Sequence, residues 1–199
     1  MREVPSVCVL ASGKGRRMGG GKCQALVAGR RLIDRAIETA KRTGLEVFVT
    51  GREELRVEGA EFLRDTRGEG PIAGLYSCLV RSKRTILLPC DMPLLTPEFL
   101  RFLLEESEGY DVLLCEVGGR LQPQVGVYTR RCLPAIERNI ARGRFSLLSI
   151  LEEGRLKVRV LGEGEVAKFG EPRRLFLNLN TREDLKLAEE LLGWGPSTT

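Results

Sequence analysis

The chain is 199 residues long, 42% apolar and 30% charged, which suits one soluble globular domain and excludes a disordered or low-complexity protein. Its net charge of +5 rests on 25 Arg and 7 Lys that are scattered along the chain, and only 6% of residues are aromatic, so the balance points to a polyphosphate-like ligand and away from nucleic acid. There is no histidine, which excludes imidazole bases, Ser–His or Cys–His pairs and His-ligated metals.

The elements follow in chain order. Val4–Ala11 is a buried strand bounded by glycines downstream. Apolar residues at 33, 36, 37 and 40 have helical spacing, and Gly44 breaks that helix before a second strand at Val47–Val49. Phe62–Leu63 is a short third strand ending at Asp65. Gly70-Pro71 opens a helix through Val80, because proline is preset for a first helical turn. Thr85–Pro89 is a fourth strand running into Cys90-Asp91. Thr96-Pro97-Glu98 reads as an N-cap with proline behind it, opening a helix to about Glu106. Val112–Cys115 and Val125–Tyr128 are strands, Arg131–Ala141 is helical, and Gly143–Leu151 holds a short helix. Lys157–Leu161 and Leu175–Leu179 complete the strands. Thr181 to Asp184 then forms a capping box for a last helix to Leu192.

Strands that are continuously apolar and alternate with helices predict a largely parallel sheet covered on both faces. We expect a single α/β domain over residues 1–193 and a frayed tail over 194–199. No apolar run approaches the roughly 18 residues of a membrane span, and Met1–Pro5 lacks a signal-peptide core, so the expectation is a cytoplasmic protein without a membrane partner. Three Asn, three Gln and abundant Arg and Glu make a thermophile-like composition. Six cysteines stand singly with no CxxC pair, so metal-binding spacing is absent. Most read as small buried side chains. A disulfide stays open for a chain of hyperthermophilic origin.

Parallel sheets bind ligands beyond the carboxyl ends of their strands. The segment at the first such end, LASGKGRRMGGGK (Leu10 to Lys22), carries five glycines, four basic residues and no acid. A dinucleotide fingerprint needs a third glycine where Met18 stands, and a P-loop needs a glycine where Arg16 stands and a hydroxyl where Cys23 stands. What remains is a glycine- and arginine-rich loop whose amides and cations make a nest for anionic oxygens. Of only five aspartates, Asp65 and Asp91 fall just past strands. Asp91 follows the apolar run TILLPC, so its carboxylate projects into the cleft, where Mg²⁺ takes one or two protein carboxylates plus ligand phosphates. Asp34 and Asp184 sit in first helical turns, where the helix dipole accounts for them, and Asp111 opens a strand.

Together, LASGKGRRMGGGK, GPIAGLYSCL, LLPCDMPLLTPEFL, LQPQVGVYTRRCLPAI and LFLNLNT resemble the molybdenum cofactor guanylyltransferases, in the same order from Leu10 to Leu185. That resemblance implies a Rossmann-like three-layer nucleotidyltransferase fold with a mostly parallel mixed sheet. The implied activity is transfer of GMP from GTP to the phosphate of molybdopterin, with release of pyrophosphate. It implies that the backbone of Leu10, Ala11 and Ser12 holds the nucleoside and that Gly13 turns the chain toward the phosphates. Arg17 and Lys22 would hold the triphosphate, Asp65 would face the nucleoside, and Asp91 would carry Mg²⁺. Gln122, Pro123, Asn178 and Asn180 would lie near the acceptor phosphate or the second side of the metal. The further implications are GTP and molybdopterin as substrates, transient contact with molybdoenzyme maturation proteins, and a monomer or weak homo-oligomer.

Three departures bear on base choice. Ser12 replaces a usual glycine, the acid before the loop lysine is missing from a shortened GGGK, and Thr50-Gly51 stand where the family often has Asn. The alternatives are a cobinamide-phosphate guanylyltransferase, a molybdopterin cytidylyltransferase, or a non-catalytic nucleotide-binding module.

Overall fold

Ser6–Leu10 forms β1, and all five residues are buried because the sheet is covered on both sides. This is seen in a computed structural model of the protein, which describes residues 4–11 and 22–193. Side chains alternate along β1: Val7 and Val9 enter one apolar cluster, Cys8 and Leu10 the other.

After the segment outside the described residues, a 3₁₀ turn at Lys22–Gln24 leads into a two-stranded hairpin, β2 (Leu26–Val27) and β3 (Arg30–Arg31). Its turn holds Ala28 at φ 50° and Gly29 at φ 72°, the left-handed pair that a two-residue hairpin requires. Helix α1 (Leu32–Lys41) buries Ile33, Ala36, Ile37 and Ala40, as their spacing predicts. The parallel strands β4 (Glu46–Gly51) and β5 (Glu61–Arg64) follow. Helix α2 (Pro71–Arg81) starts on Gly70 with Pro71 in its first turn, and β6 (Arg84–Pro89) runs into Cys90-Asp91. Helix α3 (Pro97–Glu106) is capped by the Thr96 hydroxyl, which accepts from the Phe99 amide at 3.2 Å. Next come β7 (Val112–Val117), β8 (Arg120–Thr129) and α4 (Leu133–Ala141). The tail of the fold is β9 (Val158–Leu161), α5 (Glu163–Val166), α6 (Pro172–Leu175) and α7 (Arg182–Leu191).

Seven strands form one sheet in the order β5-β4-β1-β6-β8-β7-β9. β8 is antiparallel to both neighbours, and every other pairing is parallel, so six strands share one direction. Helices α1 and α3 cover one face and α2 and α4 the other, giving three layers and two large apolar clusters. The carboxyl ends of β1, β4, β5 and β6 therefore meet at one edge.

Leu175–Leu179 is not the strand that its apolar residues predict. Glu171 caps the short helix α6, accepting from the Arg173 and Arg174 amides, and 176–180 is irregular. The apolar run serves two packing sites instead of one sheet face. Leu175 and Phe176 join the α3 side, with the Phe176 ring 5.7 Å from that of Phe99, while Leu179 joins a third small cluster with Val27, Leu32 and Ala188. One backbone bond, from the Leu179 amide to the Asp91 carbonyl at 2.9 Å, replaces a ladder.

Gly74 lets α2 approach the sheet: a Cβ there would lie 2.4 Å from Thr50 Oγ1 and 2.7 Å from Leu10 Cδ2. Overpacking of this kind costs about 1–3 kcal/mol, more than the roughly 0.5–1 kcal/mol that alanine gains over glycine inside a helix. Gly74→Ala should therefore lower the urea midpoint with an unchanged m-value. An unchanged or raised midpoint would mean that the contact relaxes freely.

Candidate active site

At the carboxyl edge the Lys22 ammonium gathers three oxygens from distant parts of the chain. It donates to Asp91 Oδ2 at 2.5 Å, Asn178 Oδ1 at 2.9 Å and Asn180 Oδ1 at 2.8 Å. The lysine and aspartate side chains are only 14% and 15% exposed, so their charges are little screened by solvent. Asp91 Oδ1 is buried and has no hydrogen-bond partner among the described residues. The Asp91 carboxylate, with one oxygen still open, and the two amide oxygens form a hard, all-oxygen donor set around the ammonium, the kind that also suits Mg²⁺. The residues present fit that ion, with Asp91 as the carboxylate ligand.

Each member is held by local structure. Asp91 stands just past β6, whose apolar residues anchor it, and its carbonyl takes the Leu179 amide between the two asparagines. Asn180 is fixed by the opening of α7: Asp184 Oδ2 accepts from the Asn180 and Thr181 amides at 2.8 Å each, and the Thr181 hydroxyl accepts from the Asp184 amide. Burial works to raise the Asp184 carboxyl, but those two amides and the Thr181 hydroxyl outweigh it and hold the carboxyl below its ordinary range. The Lys22 segment is tied to the same region through the third apolar cluster, where Val27 and Leu32 meet Leu179 and Ala188.

Cys23 and Cys90 are joined by a disulfide across a sequence separation of 67, and both are buried. The other four cysteines, Cys8, Cys78, Cys115 and Cys132, are buried free thiols, as the apolar runs around them predict. Cysteine spacing carries no pairing information. The one signal in the sequence is that Cys23 follows Lys22 and Cys90 precedes Asp91.

Asp65 lies apart from that cluster, just past β5, three strand spacings from β6 and thus about 14 Å along the edge. Its amide donates to the Gly51 carbonyl at 2.9 Å, and the Ser77 hydroxyl donates to Oδ1 at 3.3 Å. Oδ2 is buried with no partner among the described residues. Burial pushes the carboxyl from the ordinary 3.8 up to about 6, against smaller opposite effects of Ser77 and of the nearby Arg52 charge. Ser77 was not identifiable as a site residue from sequence, since a serine within a helix pattern has no distinguishing mark.

Leu10 and Ala11 are at the edge, but part of their backbone is already engaged. The Leu10 carbonyl accepts from the Cys90 amide and the Ala11 amide donates to the Thr50 carbonyl. The Ala11 carbonyl has Cys23 Sγ at 3.5 Å, which as a disulfide sulfur has no proton to give. Gln122 and Pro123 lie on β8, beyond its last pair with β6 at Leu87–Gly126 and within the stretch where its pairing with β7 shifts register. The Pro123 carbonyl is fixed by the Tyr128 hydroxyl at 2.6 Å. Thr50 is fully buried under α2, so it faces packing instead of the cleft. Ser12, Gly13 and Arg17 lie outside the described residues.

An oxygen-lined cation site and a desolvated carboxylate along one sheet edge suit a nucleotidyl transfer, and relatives of the chain are named for that chemistry. Residues 7–158 match the MobA-like NTP transferase domain. A relative from Pelotomaculum thermopropionicum, a probable molybdenum cofactor guanylyltransferase, is 31% identical over 89% of this chain and 88% of its own. One of the same description from Aquifex aeolicus is 33% identical over 94% of this chain and 90% of its own. The crystal structure of molybdopterin-guanine dinucleotide biosynthesis protein A from Archaeoglobus fulgidus superimposes with a TM-score of 0.82 at 31% identity, covering 94% and 98% of the two chains. The protein belongs to the MobA-like nucleotidyltransferase family.

Proposed function

We propose that the protein transfers GMP from GTP to the phosphate of molybdopterin, releasing pyrophosphate. The observation that carries this reading is the Lys22 ammonium held among Asp91, Asn178 and Asn180 at the carboxyl edge of the sheet. It is supported by about 30% identity to guanylyltransferases over most of the chain.

The acceptor phosphate is already an anionic nucleophile, so its attack on the α-phosphorus needs no general base, consistent with a chain that has no histidine. The obstacle is the approach of two anions. Lys22, with Arg17 and the loop amides, offsets the negative charge of the triphosphate and of the departing pyrophosphate. Asp91, with Asn178 and Asn180, would hold Mg²⁺, which supplies further charge neutralisation and orients the phosphates. Catalysis is then positioning plus electrostatic stabilisation, with Lys22, Asp91, Asn178 and Asn180 already held together before the nucleotide arrives. The backbone of Leu10, Ala11, Ser12 and Gly13 lies against the nucleoside, and Gln122 and Pro123 face the acceptor.

Asp65 serves the base. Guanine presents its N1–H and N2–H as adjacent donors, and the open Oδ2 of an ionised Asp65 is a matching acceptor. The protein works in the cytoplasm on small-molecule substrates; among the described residues no helix is long and apolar enough to cross a membrane.

Asp91→Ala should lower pyrophosphate release with Mg-GTP and molybdopterin by at least about 10²–10³, and chelation of divalent metal should abolish turnover of the wild type. Near-wild-type release by Asp91→Ala would overturn the assignment. A matrix of GTP, CTP and ATP against molybdopterin, with products read by mass, should yield the guanine dinucleotide alone.

Asp65 gives a pH signature. The folded carboxyl keeps its proton to about 6 while that of the unfolded chain ionises near 3.8, so the carboxyl's contribution to stability is full below 3.8 and is lost as pH rises through 6. Base recognition needs the ionised form and runs the other way. Calorimetric GTP affinity should rise as pH climbs through 6 and level off above 7. Asp65→Asn should bind about ten- to a hundredfold more weakly and lose that step; a step that persists in Asp65→Asn belongs to another group.

A further inference from the structure

The disulfide ends one residue away from each member of the charge pair. Cys23 is bonded in sequence to Lys22, Cys90 to Asp91, and the bridge spans 67 positions. The 3₁₀ turn Lys22–Gln24 is held by the bonds of the Lys22 ammonium and by Arg31 Nη1, which donates to Gln24 Oε1 at 3.2 Å, but among the described residues no backbone hydrogen bond joins it to β1 or β6. Its covalent tie to the end of β6 is the buried Cys23 side chain, packed in the same cluster as Cys90 and beside the Ala11 carbonyl. Asp91, in contrast, is anchored by a fully paired strand and by the Leu179 amide. The bridge therefore carries the rigidity of β6 to the residue whose ammonium must meet the triphosphate.

We propose that the Cys23–Cys90 disulfide is a positioning cross-link for the Lys22–Asp91 pair, so that nucleotide transfer falls when a dithiol opens it. Opening proceeds by thiol–disulfide exchange. A thiolate of the dithiol attacks one cystine sulfur, the S–S bond breaks, and the other cysteine leaves as a thiolate. The second thiol of the reductant then displaces the first cysteine. Two electrons and two protons pass to Cys23 and Cys90, and the reductant closes to its own disulfide. The two free thiols must then separate to van der Waals contact, which releases the Lys22 turn. Such a bridge persists in oxidising compartments and in the cytosol of hyperthermophiles.

The inference rests on the transfer reading given above, and one experiment separates the two. The full chain is purified without reductant, and its thiols are counted by alkylation after denaturation. Four are expected in the bridged form and six after dithiothreitol. Six thiols after incubation with oxidised glutathione would overturn the proposal. At a temperature where both forms keep native circular dichroism, dithiothreitol should lower kcat/KM for Mg-GTP about ten- to a hundredfold, chiefly through KM. The variant C23S/C90S should match reduced wild type and ignore dithiothreitol. In a Lys22→Ala background, reduction should change kcat/KM less than about twofold, because the cross-link acts through that lysine. A bridge of purely structural importance would lower Tm and leave kcat/KM unchanged, which overturns the proposal, as does a full reduction effect in Lys22→Ala. If bridged wild type turns over no acceptor, the transfer reading fails instead. The cross-link is then read from amide exchange over residues 22–25: faster exchange on reduction supports it, and unchanged exchange refutes it.

Discussion

The constraint on which this molecule turns is a single ammonium group that needs oxygen partners in a place nearly closed to water. Lys22 finds them at positions 91, 178 and 180, so three distant stretches of chain must converge within hydrogen-bonding distance of one nitrogen. Removing an ammonium and a carboxylate from solvent is unfavourable unless geometry and extra hydrogen bonds compensate. The two asparagine oxygens provide those bonds. The third apolar cluster, the backbone bond from Leu179 to Asp91 and the capping box of α7 then hold the asparagines in place.

The same edge holds a second carboxylate in a different environment. Asp91 has a cation on one oxygen, while Asp65 is desolvated and, among the described residues, has the Ser77 hydroxyl as hydrogen-bond partner with the Arg52 charge nearby. Two acids near one sheet edge thereby stand in different electrostatic environments, one paired with a cation and the other desolvated. The reversed strand β8 lies on the far side of β6 and carries Gln122 and Pro123. The positions of Asp91 and Asp65 follow from strand spacing and direction, while Lys22 and the two asparagines reach the edge from segments outside the sheet.

The disulfide belongs to this logic. Four cysteines lie in the apolar layers, where desolvation pushes the thiols of Cys78, Cys115 and Cys132 upward and makes them inert. The remaining two flank the charge pair and are bonded to each other. Cysteine in this chain is thus a packing residue except for this one pair, which covalently joins the Lys22 turn to the end of β6.

Much was legible in the residues themselves. Apolar periodicity located the helices, since a face buried every three or four residues admits one reading, and continuous apolar runs marked strands covered on both sides. Glycine register at Gly13, Gly15 and Gly21 ruled out two phosphate motifs, and the lack of histidine removed whole classes of chemistry. The order of strands and helices was enough to point to the carboxyl edge and hence to Asp65 and Asp91, while the asparagines were indicated by the family resemblance. Leu175–Leu179 misled, because apolar residues report burial and not the partner against which they are buried. Only the tertiary structure decided that Lys22 meets Asp91 and the two asparagines, that Thr50 turns under a helix, that Asp65 is desolvated, and that Cys23 bonds Cys90. Each of these is a meeting of residues far apart in the chain. Local propensity fixes which elements form; which side chains meet depends on how the layers close around one core.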